Sequence, residues 1–185
     1  MLGAVALHPN EIPALAEAGR LQEAWDEIEQ LSAHPRVRAI GETGLDYFRT
    51  GPDGHAVQQE SFRWHIDLAK RTGKALQIHD RDAHADVLRV LDDVGAPERW
   101  VMHCFSGDAA FARECLDRGA HLSFAGTVTF KSAAGLREAL AHTPLEQVLA
   151  ETDAPYLTPT PERGRRGTAE PTPLVVTSRM TSGPR

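Results

Sequence analysis

The sequence has few cysteines and no long apolar run. Its two cysteines, Cys104 and Cys115, cannot form a disulfide framework, so a hydrophobic core must stabilise the fold. No apolar run approaches the roughly 18 residues that a membrane span needs, and the N-terminus lacks the basic and apolar segments of a signal peptide. We therefore expect a cytoplasmic protein with no membrane association and no obligate protein partner.

Basic residues are also fewer than acidic residues. The chain has 20 Lys and Arg residues against 26 Asp and Glu residues, which gives a net charge of −6. This balance argues against bulk, non-specific attraction to nucleic acid. It leaves open a local basic patch or a phosphate group held through metal ions. The length of 185 residues is enough for one domain with a substantial core.

Apolar strand patterns alternate along the chain with amphipathic helix patterns. This alternation is typical of an α/β fold, in which helices connect the strands of a parallel sheet. The helix over residues 21–32 is the clearest, because Leu21, Trp25, Ile28 and Leu31 recur every three or four positions. The predicted strands cover residues 3–8, 37–40 (leading to Glu42), 74–79, 100–103, 121–124 and 148–151. Further helices are predicted at five places: one begins near residue 10, one spans 56–72, one ends at Gly95, one ends at Gly119, and one spans about 133–142.

Four of these strands lead into a side chain that can bind a metal ion. These side chains are Glu42, His79, His103 and, after Glu-Thr, Asp153. In a parallel barrel the C-terminal ends of the strands converge on one mouth, so residues far apart in sequence meet there. Carboxylate oxygens and imidazole nitrogens are donors that divalent cations accept. One strand-end histidine is more often a hydrogen-bonded structural residue, but four such residues in the same position favour a metal centre.

The motifs around these residues resemble those of the TatD family, whose members are metal-dependent deoxyribonucleases of the amidohydrolase-like barrel superfamily. The resemblance covers roughly residues 3–166 and implies a TIM-type (β/α)8 barrel. It also implies two divalent metal ions, Mg²⁺, Mn²⁺ or Zn²⁺, and DNA as the substrate. The motifs are Gly-Glu-Thr-Gly-Leu-Asp at 41–46, Ile-His-Asp-Arg at 78–81, His-Cys-Phe-Ser-Gly at 103–107, Gly-Thr-Val-Thr-Phe at 126–130 and Glu-Thr-Asp-Ala-Pro-Tyr at 151–156.

The same resemblance implies a role for each site residue. Glu42 would bridge the two metals, and His79 and His103 would complete the coordination of one of them. Asp153 would bind the other metal and accept a proton from the attacking water, so Glu42 and Asp153 are the candidate catalytic residues. The candidate substrate-binding residues are His8, in a segment similar to the family's Gly-x-His-Pro, and Arg81, Arg163 and Arg165; for these arginines a solvated surface role is equally plausible.

The sequence departs from the family at both ends. Family members begin with a strand that carries a His-x-His pair, whose two imidazoles bind the metal shared with Asp153, and this chain has no such pair. We find six strands where the barrel has eight, so we expect an incomplete barrel over residues 1–166, with the first two strands missing and the strand edges prone to association. Residues 167–185 are rich in Pro, Thr and Ser and predict a poorly ordered tail. Because two ligands are lacking, we expect one tight metal site.

Two other functions remain open besides a TatD-type deoxyribonuclease impaired by truncation. Related barrels hydrolyse small amides, esters or lactones, and the metal ligands alone do not indicate the leaving group. The chain could also be a non-catalytic remnant that binds one metal. Cys104, beside His103, could act as a ligand or a nucleophile, although a small buried strand residue is the simpler interpretation.

Overall fold

The computed structural model describes residues 2–164 and Gly167. Within this part of the chain, six strands are hydrogen-bonded in chain order and alternate with helices, which confirms the predicted α/β class. No helix in these residues is both long enough and apolar enough to cross a membrane. The elements are β1 (Gly3–Val5), α1 (Ile12–Glu17), α2 (Leu21–Ser32), β2 (Val37–Asp46), α3 (His55–Thr72), β3 (Ala75–Arg81), α4 (His84–Val94), β4 (Trp100–Met102), α5 (Ala109–Asp117), β5 (His121–Phe124), α6 (Ala134–His142) and β6 (Val148–Ala150).

The helices agree closely with the periodicity of the sequence. The helix α2 has the predicted bounds, and α3 begins one residue earlier than predicted. Gly73 ends α3 with a φ of 63°, a left-handed conformation that glycine adopts at little steric cost. On α2, Trp25 and Ile28 are buried as expected, but Leu31 is exposed, because the buried face continues at Ser32 and Leu31 lies beside it.

The first strand differs from its prediction. A buried strand was expected over residues 3–8, but β1 covers only Gly3–Val5, and its first two residues are exposed. Among the described residues β1 pairs only with β2, at one end of the strand order, so only one of its two edges is hydrogen-bonded to another strand. The backbone N–H of Leu7 donates to Nε2 of His65 (3.1 Å) instead of to a neighbouring strand, which ends the ladder.

The chain divides into two compact units, Met1–Val101 and Met102–Arg185. In the first unit, β1, β2 and β3 are parallel, and α3 packs on β2. Its fully buried side chains include Ile40, Phe62 and Leu76. In the second unit, β5 and β6 are parallel, α5 packs against α6, and Phe105 contacts Phe111 and Phe124 with ring centroids 5.6 and 5.7 Å apart.

The strand β2 contains one more residue than the part of β3 beside it. Ile40 pairs with Leu76 and Thr43 pairs with Ile78, so three steps along β2 correspond to two steps along β3. Beyond this bulge, Gly44 pairs with His79. A bulge changes the face to which the following side chains point and is common beside functional sites. The bulge therefore sets the position of Glu42 relative to His79.

Candidate metal centre

In the first unit, the imidazole of His79 lies between two carboxylates of β2. Nδ1 of His79 is 2.8 Å from Oε1 of Glu42, and Nε2 is 3.2 Å from Oδ2 of Asp46. The strand register explains the arrangement, because Gly44 is opposite His79 and the residues two positions before and after Gly44 share its face. A Cβ atom at Gly44 would collide with the carbonyl oxygen of His79, so this close approach requires glycine.

His8 reaches the same carboxylate from the segment that follows β1. Its Nε2 is 3.2 Å from Oε1 of Glu42, and its ring meets the ring of His79 edge-on, with centroids 4.6 Å apart. His8, Glu42 and His79 each offer a possible ligand atom, and these atoms all lie within 4.8 Å of one another. The mixture of imidazole nitrogen and carboxylate oxygen fits a divalent transition metal or Mg²⁺. The sequence indicated His8 as a candidate substrate-binding residue.

The hydrogen bonds of His8 identify it as a donor in this cluster. Its Nδ1 accepts the backbone N–H of Asn10 (3.2 Å). A neutral imidazole that accepts at Nδ1 carries its proton on Nε2. The Nε2–H group of His8 therefore points at Glu42 and can donate to an oxygen atom there, whereas a metal ion would need a free electron pair at this position.

Asp46 was quoted in the sequence motif but received no role, and the structure places it in the site. Its side chain is buried. Burial raises the pKa of Asp46, but hydrogen bonds from the backbone N–H of Arg49 and the amide of Asn10, together with nearby His79, outweigh burial and lower the pKa overall. Asp46 therefore carries a negative charge beside the imidazole at neutral pH.

In the second unit, His103 contacts both carboxylates of the segment after β6. Its Nδ1 is 2.9 Å from Oε2 of Glu151, and its Nε2 is 3.4 Å from Oδ1 of Asp153. Ser123 on β5 donates a hydrogen bond to the same oxygen of Glu151 (2.7 Å). The other oxygen, Oε1, is buried and has no hydrogen-bond partner among the described residues. The sequence indicated His103 and Asp153 but gave no role to Glu151.

Cys104 lies outside the strand in which it was expected. The strand β4 ends at Met102, and Cys104 has a φ of 45°, which an extended strand cannot contain. Its side chain is only half-buried. The prediction of a small buried strand residue is therefore wrong.

The predicted arginines occupy exposed positions beside aromatic rings. Arg81 is the last residue of β3, two positions after His79, and its guanidinium lies 3.8 Å from the ring centroid of Phe48. Arg163 lies 4.2 Å from the ring centroid of Phe130. Arg165 falls outside the described residues. Their contacts with substrate remain predictions, as do the ligand roles of the predicted metal-binding residues.

The sequence matches the TatD related DNase family over residues 1–180. The chain belongs to the TatD family. A protein named uncharacterized metal-dependent hydrolase TatD, from Mycobacterium tuberculosis, is 58% identical over 165 residues, and the match covers 87% of this chain and 61% of that protein. The uncharacterized metal-dependent hydrolase YabD of Bacillus subtilis is 43% identical over 164 residues, with 88% of this chain and 62% of YabD covered.

A solved TatD homologue has the same fold. The crystal structure of YjjV from Escherichia coli matches 98% of this chain and 74% of YjjV, with a TM-score of 0.80 and 26% sequence identity. The TatD fold predicted from the motifs is therefore confirmed. The chain spans about three fifths of the length of the M. tuberculosis and B. subtilis relatives, which are matched over 61% and 62% of their lengths.

Proposed function

We propose that this chain carries the metal centre of a TatD-type hydrolase that cleaves phosphodiester bonds in DNA. The observation that carries the proposal is the approach of His79 Nδ1 to Glu42 Oε1, at 2.8 Å, on adjacent strands of a member of the TatD related DNase family. An imidazole nitrogen and a carboxylate oxygen this close together, in the C-terminal halves of parallel strands, form a suitable pair of metal ligands. The relatives' names support a metal-dependent hydrolase, and the choice of DNA rests on the family description.

The proposed metal ligands are Glu42, His79, His103 and Asp153. When bound, divalent cations would polarise a phosphoryl oxygen and lower the pKa of a water molecule. The proposed role of the Asp153 carboxylate, which is only half-buried, is to accept the proton of that water. The prediction that this chain holds one cation tightly can be tested by titration.

Two other residues have proposed roles in holding the substrate. The Nε2–H group of His8 points at Glu42 and could donate a hydrogen bond to a phosphate oxygen beside it. Arg81 lies on the same face of β3 as His79 and leaves its guanidinium exposed on the ring of Phe48. A guanidinium at the rim of the site is suited to a phosphate group further along a nucleic acid strand.

The test is a nuclease assay on the full 185-residue chain with single-stranded and double-stranded DNA, in Mg²⁺, Mn²⁺ or Zn²⁺ and with a chelator. Glu42→Ala should reduce metal-dependent cleavage by at least about 100-fold, because the carboxylate is a proposed ligand and nothing replaces it. The matched control is Glu23→Ala, which removes one exposed carboxylate of α2. Cleavage by Glu42→Ala at the rate of Glu23→Ala would contradict the proposal.

The same preparation distinguishes the other two functions. Hydrolysis of small esters, amides or lactones with no cleavage of DNA would replace the proposed substrate. Tight Mn²⁺ binding with no hydrolysis of any of these substrates would identify a non-catalytic metal-binding chain.

A further inference from the structure

We propose that Asp46 is a positioning residue that fixes the ring orientation and the tautomer of His79, so that Nδ1 of His79 is the atom that binds the metal. The inference rests on the proposed metal site. The distances that carry it are 3.2 Å from Asp46 Oδ2 to His79 Nε2 and 2.8 Å from His79 Nδ1 to Glu42 Oε1.

The chemistry of the carboxylate determines the tautomer. An ionised carboxylate can only accept a hydrogen bond, so Asp46 is satisfied by a proton on Nε2 of His79. A metal ion held by Glu42 and His79 would need the electron pair of Nδ1, and the proton of the neutral ring would then be on Nε2, beside Asp46. Nδ1 and Oε1, 2.8 Å apart, are close enough to bind one cation together.

The opposite tautomer would prevent metal binding. A proton on Nδ1 would form a hydrogen bond to Glu42 and would occupy the electron pairs of both proposed ligand atoms. Asp46 opposes this state, because an ionised carboxylate gains no hydrogen bond from an Nε2 atom that lacks a proton. A carboxylate that holds the second nitrogen of a metal-binding histidine commonly increases metal affinity in this way.

Asp46 is held rigidly enough for this role. Its Oδ1 accepts the backbone N–H of Arg49 (2.8 Å), and its Oδ2 accepts the side-chain amide of Asn10 (3.1 Å) as well as His79. Its backbone N–H donates to Oε1 of Gln58 on α3 (3.0 Å). Both carboxylate oxygens are therefore occupied and buried, which makes Asp46 a poor ligand and a good anchor for the ring.

The chain offers a matched control one residue after His79. Asp80 is also buried, and its Oδ2 is 2.6 Å from Nδ1 of His84, which is not a proposed ligand. Asp80→Asn and Asp46→Asn therefore remove the same charge from the same kind of buried carboxylate–imidazole pair. Only Asp46→Asn should affect the metal.

The experiment combines Mn²⁺ titration calorimetry with ring-nitrogen NMR of the Zn²⁺-loaded chain. Asp46→Asn should weaken Mn²⁺ binding by about 10- to 100-fold, whereas Asp80→Asn should stay within about twofold of the wild type. In the wild type, the NMR spectrum should show His79 bound to Zn²⁺ through Nδ1, with a proton on Nε2. Coordination through Nε2 would overturn the proposal even if Asp46→Asn does not fold, and so would equal Mn²⁺ affinities in the two Asn variants.

A third variant separates this inference from the proposed function. His79→Ala should lose tight Mn²⁺ binding if His79 is a ligand at all. Unchanged Mn²⁺ affinity in His79→Ala would contradict the proposed metal site itself. Lost affinity in His79→Ala together with wild-type affinity in Asp46→Asn would leave the site intact and overturn the role of Asp46 alone.

Discussion

At the residue scale, His65 shows how a buried imidazole makes stability depend on pH. The residue is fully buried in α3, where Nδ1 contacts the carbonyl of Ser61 (2.7 Å) and Nε2 accepts the N–H of Leu7 (3.1 Å). Both contacts suit the neutral ring with its proton on Nδ1. Burial lowers the pKa of His65 to about 4, although the hydrogen bond to Ser61 opposes the shift.

We predict that this pKa shift destabilises the protein in weak acid. The unfolded histidine has a pKa of about 6.5, so as the pH falls the unfolded chain takes up the proton first. The contribution of His65 to the free energy of unfolding should be unaffected above pH 6.5, decrease as the pH falls from 6.5 to about 4, and change little below that. Urea unfolding at pH 7 and pH 5 should show a loss of about 2 kcal/mol from this residue. His65→Gln should lack this component and exposed His34→Gln should keep it; equal losses in the two variants would contradict the prediction.

The sequence indicated some of the site residues but not their contacts. Glu42, His79 and His103 were predictable because an apolar strand pattern ends just before each of them. The contact between His79 and Asp46 was not, since it depends on the extra residue in β2, which no periodicity reveals. The contact of Glu151 with His103 was equally hidden, because the order Glu-Thr-Asp does not indicate that both carboxylates reach the same imidazole.

At the scale of elements, the pairing of β2 with β3 is the feature on which the first-unit site depends. We predict that Gly44→Ala destabilises the protein by several kcal/mol, because the new Cβ would meet the His79 carbonyl and separate the strands. The control is Gly73→Ala, where φ is also positive but no atom lies within 4 Å, so only the conformational cost of about 1 kcal/mol applies. Urea unfolding of the two variants measures the difference, and equal losses would show that β2 and β3 can separate at little cost.

The helices were easier to predict than the strands for a physical reason. The helix α2 has several turns, so its apolar period repeats, and Gly73 supplies a defined end for α3. The strands β1, β4 and β6 have three residues each, too few to show an alternation. The end of β1 also depends on His65, which lies 58 residues from Leu7 in sequence and takes the N–H that another strand could have used.

At the scale of the whole molecule, the last strand in the sheet order presents apolar surface to solvent. Among the described residues β6 pairs only with β5, and Leu149 is 44% exposed. We predict concentration-dependent self-association through this edge, because unpaired strands are templates for pairing. Leu149→Lys should shift the sedimentation profile toward the monomer. Leu145→Lys, which adds the same charge at a more exposed residue outside the strand, is the control, and an equal shift in both variants would rule out the edge.

The extra residue in β2 has a consequence for insertions and deletions. Deleting Gly41 would leave two steps of β2 between the Ile40–Leu76 and Thr43–Ile78 pairs, as in β3, and the ladder could close without a bulge. The pairs from Thr43 onwards would be kept, so Asp46 would stay beside His79, whereas Glu42 would leave the bulge and enter the regular ladder opposite Gln77. A lost codon that a surface loop would tolerate would here change the position of one of the two carboxylates beside His79 and leave the other in place.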